Sequence, residues 1–242
     1  MEIKSTKEIG LKKINAVVYG VSGSGKTFAA STIPGKTLII ACDPGLLTLA
    51  DYDIDCIQPK NYDDLLELTK MLCTEEFEKK YDTLFIDGIT DINEFFKKWI
   101  VNVERPKVKG KDIGKIYDEA LTQSDWGFLG IKLRRFIGVF INMPYNIIFT
   151  ALEENRKNDK TGEVKTVPML NGKLAEHLPG YFDFVLRIVL KDVDGKTERY
   201  FLTENTEDSI GKNRGNKLDR YEEPNFTKII NKIKGDKKNE TK

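Results

Sequence analysis

Ile14-Asn15-Ala16-Val17-Val18-Tyr19-Gly20-Val21-Ser22-Gly23-Ser24-Gly25-Lys26-Thr27-Phe28 is the stretch on which the reading of this 242-residue chain turns. Ile14 to Tyr19 is a short apolar run of the kind that forms a buried strand, and it ends at a glycine. Gly20 to Thr27 fits the pattern G-x-x-x-x-G-K-[ST]. Glycines let such a turn wrap closely and aim its N–H groups at an anion. Phe28 to Thr32 reads as a helix stopped by Pro34, so the turn opens onto a helix start with its partial positive charge. A strand, this turn and a helix, in that order, is the context in which the pattern binds the phosphates of a nucleotide, here read as ATP. An accidental Gly/Ser turn has no reason to fall there. Gly20, Val21, Ser22, Gly23, Ser24, Gly25, Lys26, Thr27 and Phe28 are therefore expected to line the site. Lys26 should reach the β- and γ-phosphates, and the Thr27 hydroxyl should ligate Mg²⁺.

Working outward, Thr37 to Cys42, Thr83 to Asp87 and Asn146 to Ala151 are three more apolar runs of strand length. Helical patterns separate them. Asn61 to Lys80 places Leu65, Leu68 and Leu72 on one face behind a capping Asn61. A second helix carries Ile92, Phe95, Phe96, Trp99 and Ile100. A third, Asp125 to Met143, carries Leu129, Leu133, Phe136, Ile137 and Phe140. Lys173 to His177 suits a short helix. Phe182 to Lys191 and Glu198 to Leu202 read as a β-hairpin around Asp194-Gly195. A loop from Thr203 to Pro224 leads to a final helix, Phe226 to Ile233. Strands alternating with helices predict an α/β fold: a mainly parallel central sheet with helices on both faces, and an antiparallel hairpin at one edge. Residues 1–234 are expected to form one domain and the basic tail 235–242 to be disordered.

Composition narrows the partners. The 39 basic and 38 acidic side chains leave a net charge of +1, so any nucleic-acid surface must be a local patch. Cys42, Cys56 and Cys73 are scattered, and His177 is the only histidine, which argues against a zinc site or a disulfide framework. No apolar run approaches the roughly 18 residues of a membrane span. A cytoplasmic protein is expected.

Two acids complete the expected site. Leu84-Phe85-Ile86-Asp87 is an apolar strand ending in a carboxylate, which would stand beside the metal as the second Mg²⁺ contact. Asp87 could instead cap the following helix, a role Asp91 could also fill. Asp43, in Ala41-Cys42-Asp43-Pro44-Gly45, also ends a strand on the edge where ligands collect. It could polarise the attacking water as general base. The tripeptide would equally form a turn with no chemistry attached.

The order of elements resembles the phage-encoded, RecA-like recombination ATPases grouped with the Sak-type single-strand annealing proteins, over roughly residues 10 to 234. Four stretches carry the resemblance: the P-loop with Asp43 to Gly45; Phe85-Ile86-Asp87 with Thr90; Pro168 to Leu174 followed by Leu178 to Asp183; and Gly211-Lys212-Asn213-Arg214 leading to Glu223-Pro224-Asn225. It implies a RecA-like core, ATP- and Mg²⁺-dependent work on single-stranded DNA in recombination or replication, and subunits stacked head to tail in the host cytoplasm. Lys212 and Arg214 match a Lys-x-Arg pair that, in such assemblies, reaches the neighbour's γ-phosphoryl group; a solvated basic loop is the alternative. The chain departs from the pattern at two points. Asp43 stands where RecA proper has a glutamate. Thr150-Ala151-Leu152-Glu153 follows the fourth strand where a glutamine often senses the γ-phosphate, and Thr150 or Glu153 is the substitute on offer.

For DNA, Glu104 to Ile116 offers Arg105, Lys107, Lys109, Lys111 and Lys115 against two acids, and Asn155 to Lys165 follows a central strand; both suit ordinary solvated loops as well. Trp126 and Phe128 read as core residues. Three rival readings stand beside the resemblance: a GTPase, because Asn216-Lys217-Leu218-Asp219 spells N-K-x-D; a small-molecule kinase with Glu153 to Lys165 as lid and Arg156 over the phosphates; and a nucleotide-gated binding protein with slow hydrolysis.

Overall fold

The apolar run before the glycine turn forms β1 (Asn15–Gly20), fully buried after Asn15. The structure, a computed structural model, describes residues 13–104, 121–158, 161–170 and 174–235, without the side chains of residues 104 and 176. The basic stretch at 105–116, Lys160, Asn171 to Lys173 and the tail 236–242 lie outside them. β1 is central, with β5 (Asn146–Lys157) and β7 (Phe184–Val193) parallel on its two sides. β4 (Thr83–Asp87) pairs with β5, β2 (Thr37–Ala41) with β4, and β3 (Asp55–Ile57) with β2, all parallel. Beyond β7 the sheet turns antiparallel through β8 (Lys196–Leu202) and the short β10 (Tyr221–Glu222). The path is β10-β8-β7-β1-β5-β4-β2-β3, with β6 (Val164–Pro168) on β5 and β9 (Lys212–Asn213) on β7.

Strand alternation divides the core. Val17 and Tyr19 of β1 face α1 (Tyr62–Leu72), α3 (Ile89–Trp99), α4 (Gln123–Asn142) and α5 (Leu174–Tyr181). Ala16 and Val18 face the other layer, made by 3₁₀ turns at Phe28–Thr32 and Gly45–Leu49 and by α6 (Phe226–Lys234). This is the expected α/β architecture, with a mainly parallel sheet covered on both faces and an antiparallel edge. The edge hairpin closes through Asp194 and Gly195, with φ of 52° and 76°, a two-residue turn whose twist matches the strands.

The structure differs from the expectation in four places. Asn61 caps α1 by accepting from the Asp64 N–H, but the helix breaks at Cys73-Thr74, where the Thr74 hydroxyl donates to the Met71 carbonyl, and α2 (Glu75–Lys80) restarts. The segment after Thr27 is one 3₁₀ turn, because the Ser31 and Thr32 hydroxyls bond the Phe28 and Ala29 carbonyls and Pro34 follows. Its dipole is correspondingly short. β5 runs on to Lys157 and pairs with β6, so Asn155 to Lys165 is largely a hairpin. Its polarity misled because the far stretch of β5 is polar and partly exposed, and the hairpin satisfies its own side chains, with the Thr166 hydroxyl donating to Asn155. Trp126 is 43% exposed, under Lys97, while Phe128 packs against the core as expected. Among the described residues no helix is long and apolar enough to cross a membrane.

Candidate functional site

Parallel strands end together, and here the C-terminal ends of β1, β5, β4 and β2 gather the site. The turn after β1 depends on Gly23 and Gly25, at φ 74° and 99°, where a side chain would be strained. Lys26 is nearly buried; its Nζ donates to the Gly20 carbonyl at 3.0 Å and the Val21 carbonyl at 2.8 Å. The Ser24 hydroxyl is buried with no protein partner among the described residues. Phe28 lies on the outer surface, edge-on to Tyr52.

Register brings the acid to the turn. Ala41 pairs with Asp87 and Ile86 with Phe149, so Asp87 stands beside Thr150. The Thr27 hydroxyl donates to Asp87 Oδ2 at 2.6 Å and the Thr150 hydroxyl to Oδ1 at 2.5 Å. Thr150 in turn accepts from the Gly88 N–H at 2.9 Å. Burial pushes the Asp87 carboxyl above the usual carboxylate range, against the pull of the two threonine hydroxyls. Burial likewise lowers the Lys26 ammonium, opposed by the Asp87, Asp43 and Glu153 carboxylates.

The remaining expected residues divide between the two ends of the sheet. Asp43 lies in the site, but its Oδ1 accepts the Gly45 N–H at 2.6 Å, closing an Asp-Pro-Gly turn. Asp91 stands in the first turn of α3 beside Gly88, and burial raises its carboxyl. Glu153 is held by Arg187 through two bonds of 2.9 and 3.1 Å, with Arg187 also donating to Ser209. Lys212 and Arg214 are elsewhere. The Arg214 N–H donates to the Asp183 carbonyl, and the Asp183 N–H to the carbonyl of Asn15, at the start of β1. Five residues of strand therefore separate Arg214 from its own phosphate turn, about 17 Å. The Lys212 Nζ donates to the Pro179 carbonyl, and Arg214 pairs with Asp183 at 2.8 Å.

Two rivals lose their geometry. Asn216 to Asp219 is a turn at the α6 side, with Asn216 left-handed and Asp219 paired to Lys232, rather than the end of a buried strand. Arg156 binds Glu154 on β5 and the Leu170 carbonyl just past β6.

The arrangement fits a nucleotide with its metal. The Thr27 hydroxyl and Asp87 carboxylate are adjacent hard-oxygen donors of the kind Mg²⁺ takes. The buried Lys26 and Asp87 are each under-solvated, and a metal–triphosphate would supply each with the opposite charge. Fold and site together define a P-loop nucleotide-binding protein. The chain matches the AAA_24 family, described as an AAA domain, over residues 12–215. It belongs to that family of P-loop ATPases. Among solved structures it is similar to a KaiC-like protein of the hyperthermophilic archaeon Pyrococcus horikoshii, at 14% identity and a TM-score of 0.42, covering 78% of this chain and 77% of that one. No curated protein matches the chain.

Sequence reasoning missed two contributors. The Arg187–Glu153 pair joins strands far apart in sequence, and no local pattern marks it. Arg199, on β8, donates from Nε to the Ser24 carbonyl at 3.1 Å, and hairpin alternation gives no hint of that reach.

Proposed function

We propose that the chain is an ATP- and Mg²⁺-dependent RecA-like ATPase of the Sak-type, phage-encoded group, acting on single-stranded DNA in recombination or replication. The observation that carries the nucleotide part is the 2.6 Å bond between Thr27 and Asp87, which unites the two halves of the site across 60 residues. The DNA part rests on the resemblance of the four quoted stretches. Lys26 neutralises the β- and γ-phosphates, Thr27 and Asp87 hold the metal, and the subunits stack head to tail. Arg214, with Lys212, serves the γ-phosphoryl group of a neighbouring copy, in keeping with its place at the far end of the sheet from its own turn. Phosphate release with and without single-stranded DNA tests the reading, together with a gel shift in ADP and in a non-hydrolysable ATP analogue. DNA-stimulated hydrolysis that Lys26→Ala abolishes, and that mixing Lys26→Ala with Arg214→Ala partly restores, is expected. Hydrolysis indifferent to DNA, in a fully active monomer, would refute it.

A second reading, a nucleotide-gated binding protein with slow hydrolysis, is favoured by one observation. The general-base candidate Asp43 is engaged by the Gly45 N–H, and the γ-phosphate-sensor candidate Glu153 by Arg187. Asp43→Ala with unchanged phosphate release removes Asp43 as the base.

A further inference from the structure

The edge hairpin delivers one cation to the phosphate turn. Arg199 stands opposite Leu190 in the β7–β8 ladder, and its side chain crosses to the turn, where Nε donates to the Ser24 carbonyl at 3.1 Å. The same side chain lies against Gly25: a Cβ there would come within 3.3 Å of Arg199 Cδ and 3.4 Å of Nε. Among the described residues Arg199 has no carboxylate partner, so the backbone oxygen is its anchor.

A trans peptide is planar, so the Ser24 C=O and the Gly25 N–H point in opposite directions. A donor fixed on the oxygen therefore fixes the aim of the N–H on the other side. It also polarises the unit, which makes that N–H a stronger donor. The restraint matters here because Gly25, at φ 99°, has no Cβ to limit rotation of its peptides.

We infer that Arg199 is a positioning residue that locks the Ser24–Gly25 peptide with its N–H turned into the turn's concavity, onto the β-phosphate of the nucleotide. The inference rests on the reading of Gly20 to Thr27 as the nucleotide site. It extends that site to the antiparallel edge: the hairpin tunes affinity for the diphosphate part that ADP and ATP share, and leaves the γ-phosphoryl group to others. Gly25 is constrained from two sides, by its left-handed backbone and by the arginine lying on it.

The test compares Mg–ADP and Mg–ATP dissociation constants for wild type, Arg199→Ala, Arg199→Lys and Lys26→Ala, with thermal unfolding of each. Arg199→Ala should weaken both nucleotides by the same factor, about 10-fold, the size of one charge-assisted hydrogen bond. Unfolding and kcat at saturating ATP should hardly move. Arg199→Lys, which keeps a charged donor without the planar fork, should recover part of the loss. In nucleotide-free protein carrying ¹⁵N-glycine, the Gly25 amide resonance should shift in Arg199→Lys, a signature that loss of hairpin packing alone would not give. An unshifted Gly25 resonance, unchanged ADP affinity in Arg199→Ala, or a loss confined to ATP would each overturn the assignment. Wild-type protein that binds neither nucleotide would overturn the site reading itself; intact wild-type binding lost in Lys26→Ala but not in Arg199→Ala would overturn this inference alone.

Discussion

Replacing Thr150 by valine keeps the shape of the side chain and removes the one hydroxyl that joins Asp87 to the backbone of the next helix. Thr150 is 1% exposed, donates to Asp87 Oδ1 at 2.5 Å and accepts from the Gly88 N–H at 2.9 Å. The substitution leaves a buried carboxylate oxygen and a buried N–H without partners. One lost bond to a charged group and one orphaned amide amount to about 3 kcal/mol of destabilisation. In a domain of this size that lowers Tm by roughly 6–12 °C. The Thr150 bond is also the largest influence holding the Asp87 carboxyl down against burial, so its loss raises that group further. The carboxylate's share of that penalty scales with the Asp87 charge, so it shrinks as pH falls through the raised pKa, while the orphaned Gly88 N–H keeps its share at every pH. Urea unfolding at pH 7 and near pH 4, with Mg–ADP titrations at pH 7, checks both limbs. A Tm within about 2 °C of wild type at pH 7, with unaltered Mg–ADP affinity, would mean that Thr150 does not hold the carboxylate, and the logic of the site would fail with it.

Two further outcomes follow from the same cluster. Asp87→Asn should hold or raise the stability of the nucleotide-free protein at pH 7, because a carboxyl whose folded pKa is raised favours folding below its ordinary pKa and loses that contribution as pH rises. The same variant should lose the part of nucleotide affinity that depends on Mg²⁺, measured with and without chelator; a Tm several degrees lower with the Mg²⁺ effect intact would contradict it. Lys26 is the reverse case, its ammonium pKa lowered by burial, and the ammonium form is the one that meets phosphate. ADP affinity should therefore fall as pH rises through a value below the 10.5 of an ordinary lysine, read by titrations across the alkaline range where the fold persists; a flat profile to 10.5 would exclude it.

The sequence was legible where a pattern is local. The run before Gly20, the TLFID strand and the Asp194-Gly195 hairpin each carry their geometry in consecutive residues, and each is found in its place. The cap at Asn61 and the stripes Leu65-Leu68-Leu72 and Leu129 to Phe140 are equally local. What was illegible depends on strand register. Thr150 was offered as a γ-phosphate contact only by the resemblance, and the pairing of Ile86 with Phe149 reveals that its hydroxyl points at Asp87. Asp43 read equally as a base and as a turn former, and the Gly45 N–H on its carboxylate gives the turn its weight. The β5–β6 hairpin was hidden because the far stretch of β5, Glu153 to Lys157, is polar and partly exposed and so has the composition of a loop.

Strand order explains why a threonine is needed between the motif's two halves. β5 lies between β1 and β4, so Thr27, just beyond β1, and Asp87, at the end of β4, come from strands two steps apart, nearly 10 Å at the usual spacing. The turn must lean across the end of β5 for Thr27 to reach the carboxylate. Whatever β5 presents there must be small enough to let it pass and polar enough to serve Asp87 from the other side. Thr150 meets both demands, with its one hydroxyl committed to Asp87 and Gly88. A position so committed is not at liberty to read a γ-phosphate, and three residues on Glu153 is engaged by Arg187. With Asp43 held in its turn, the carboxylates of Asp43, Asp87 and Glu153 at this end of the sheet are each engaged by the protein's own donors. On the proposed reading, those engagements are the ground for expecting slow turnover and for looking to Arg214 of a neighbouring copy for the missing charge stabilisation.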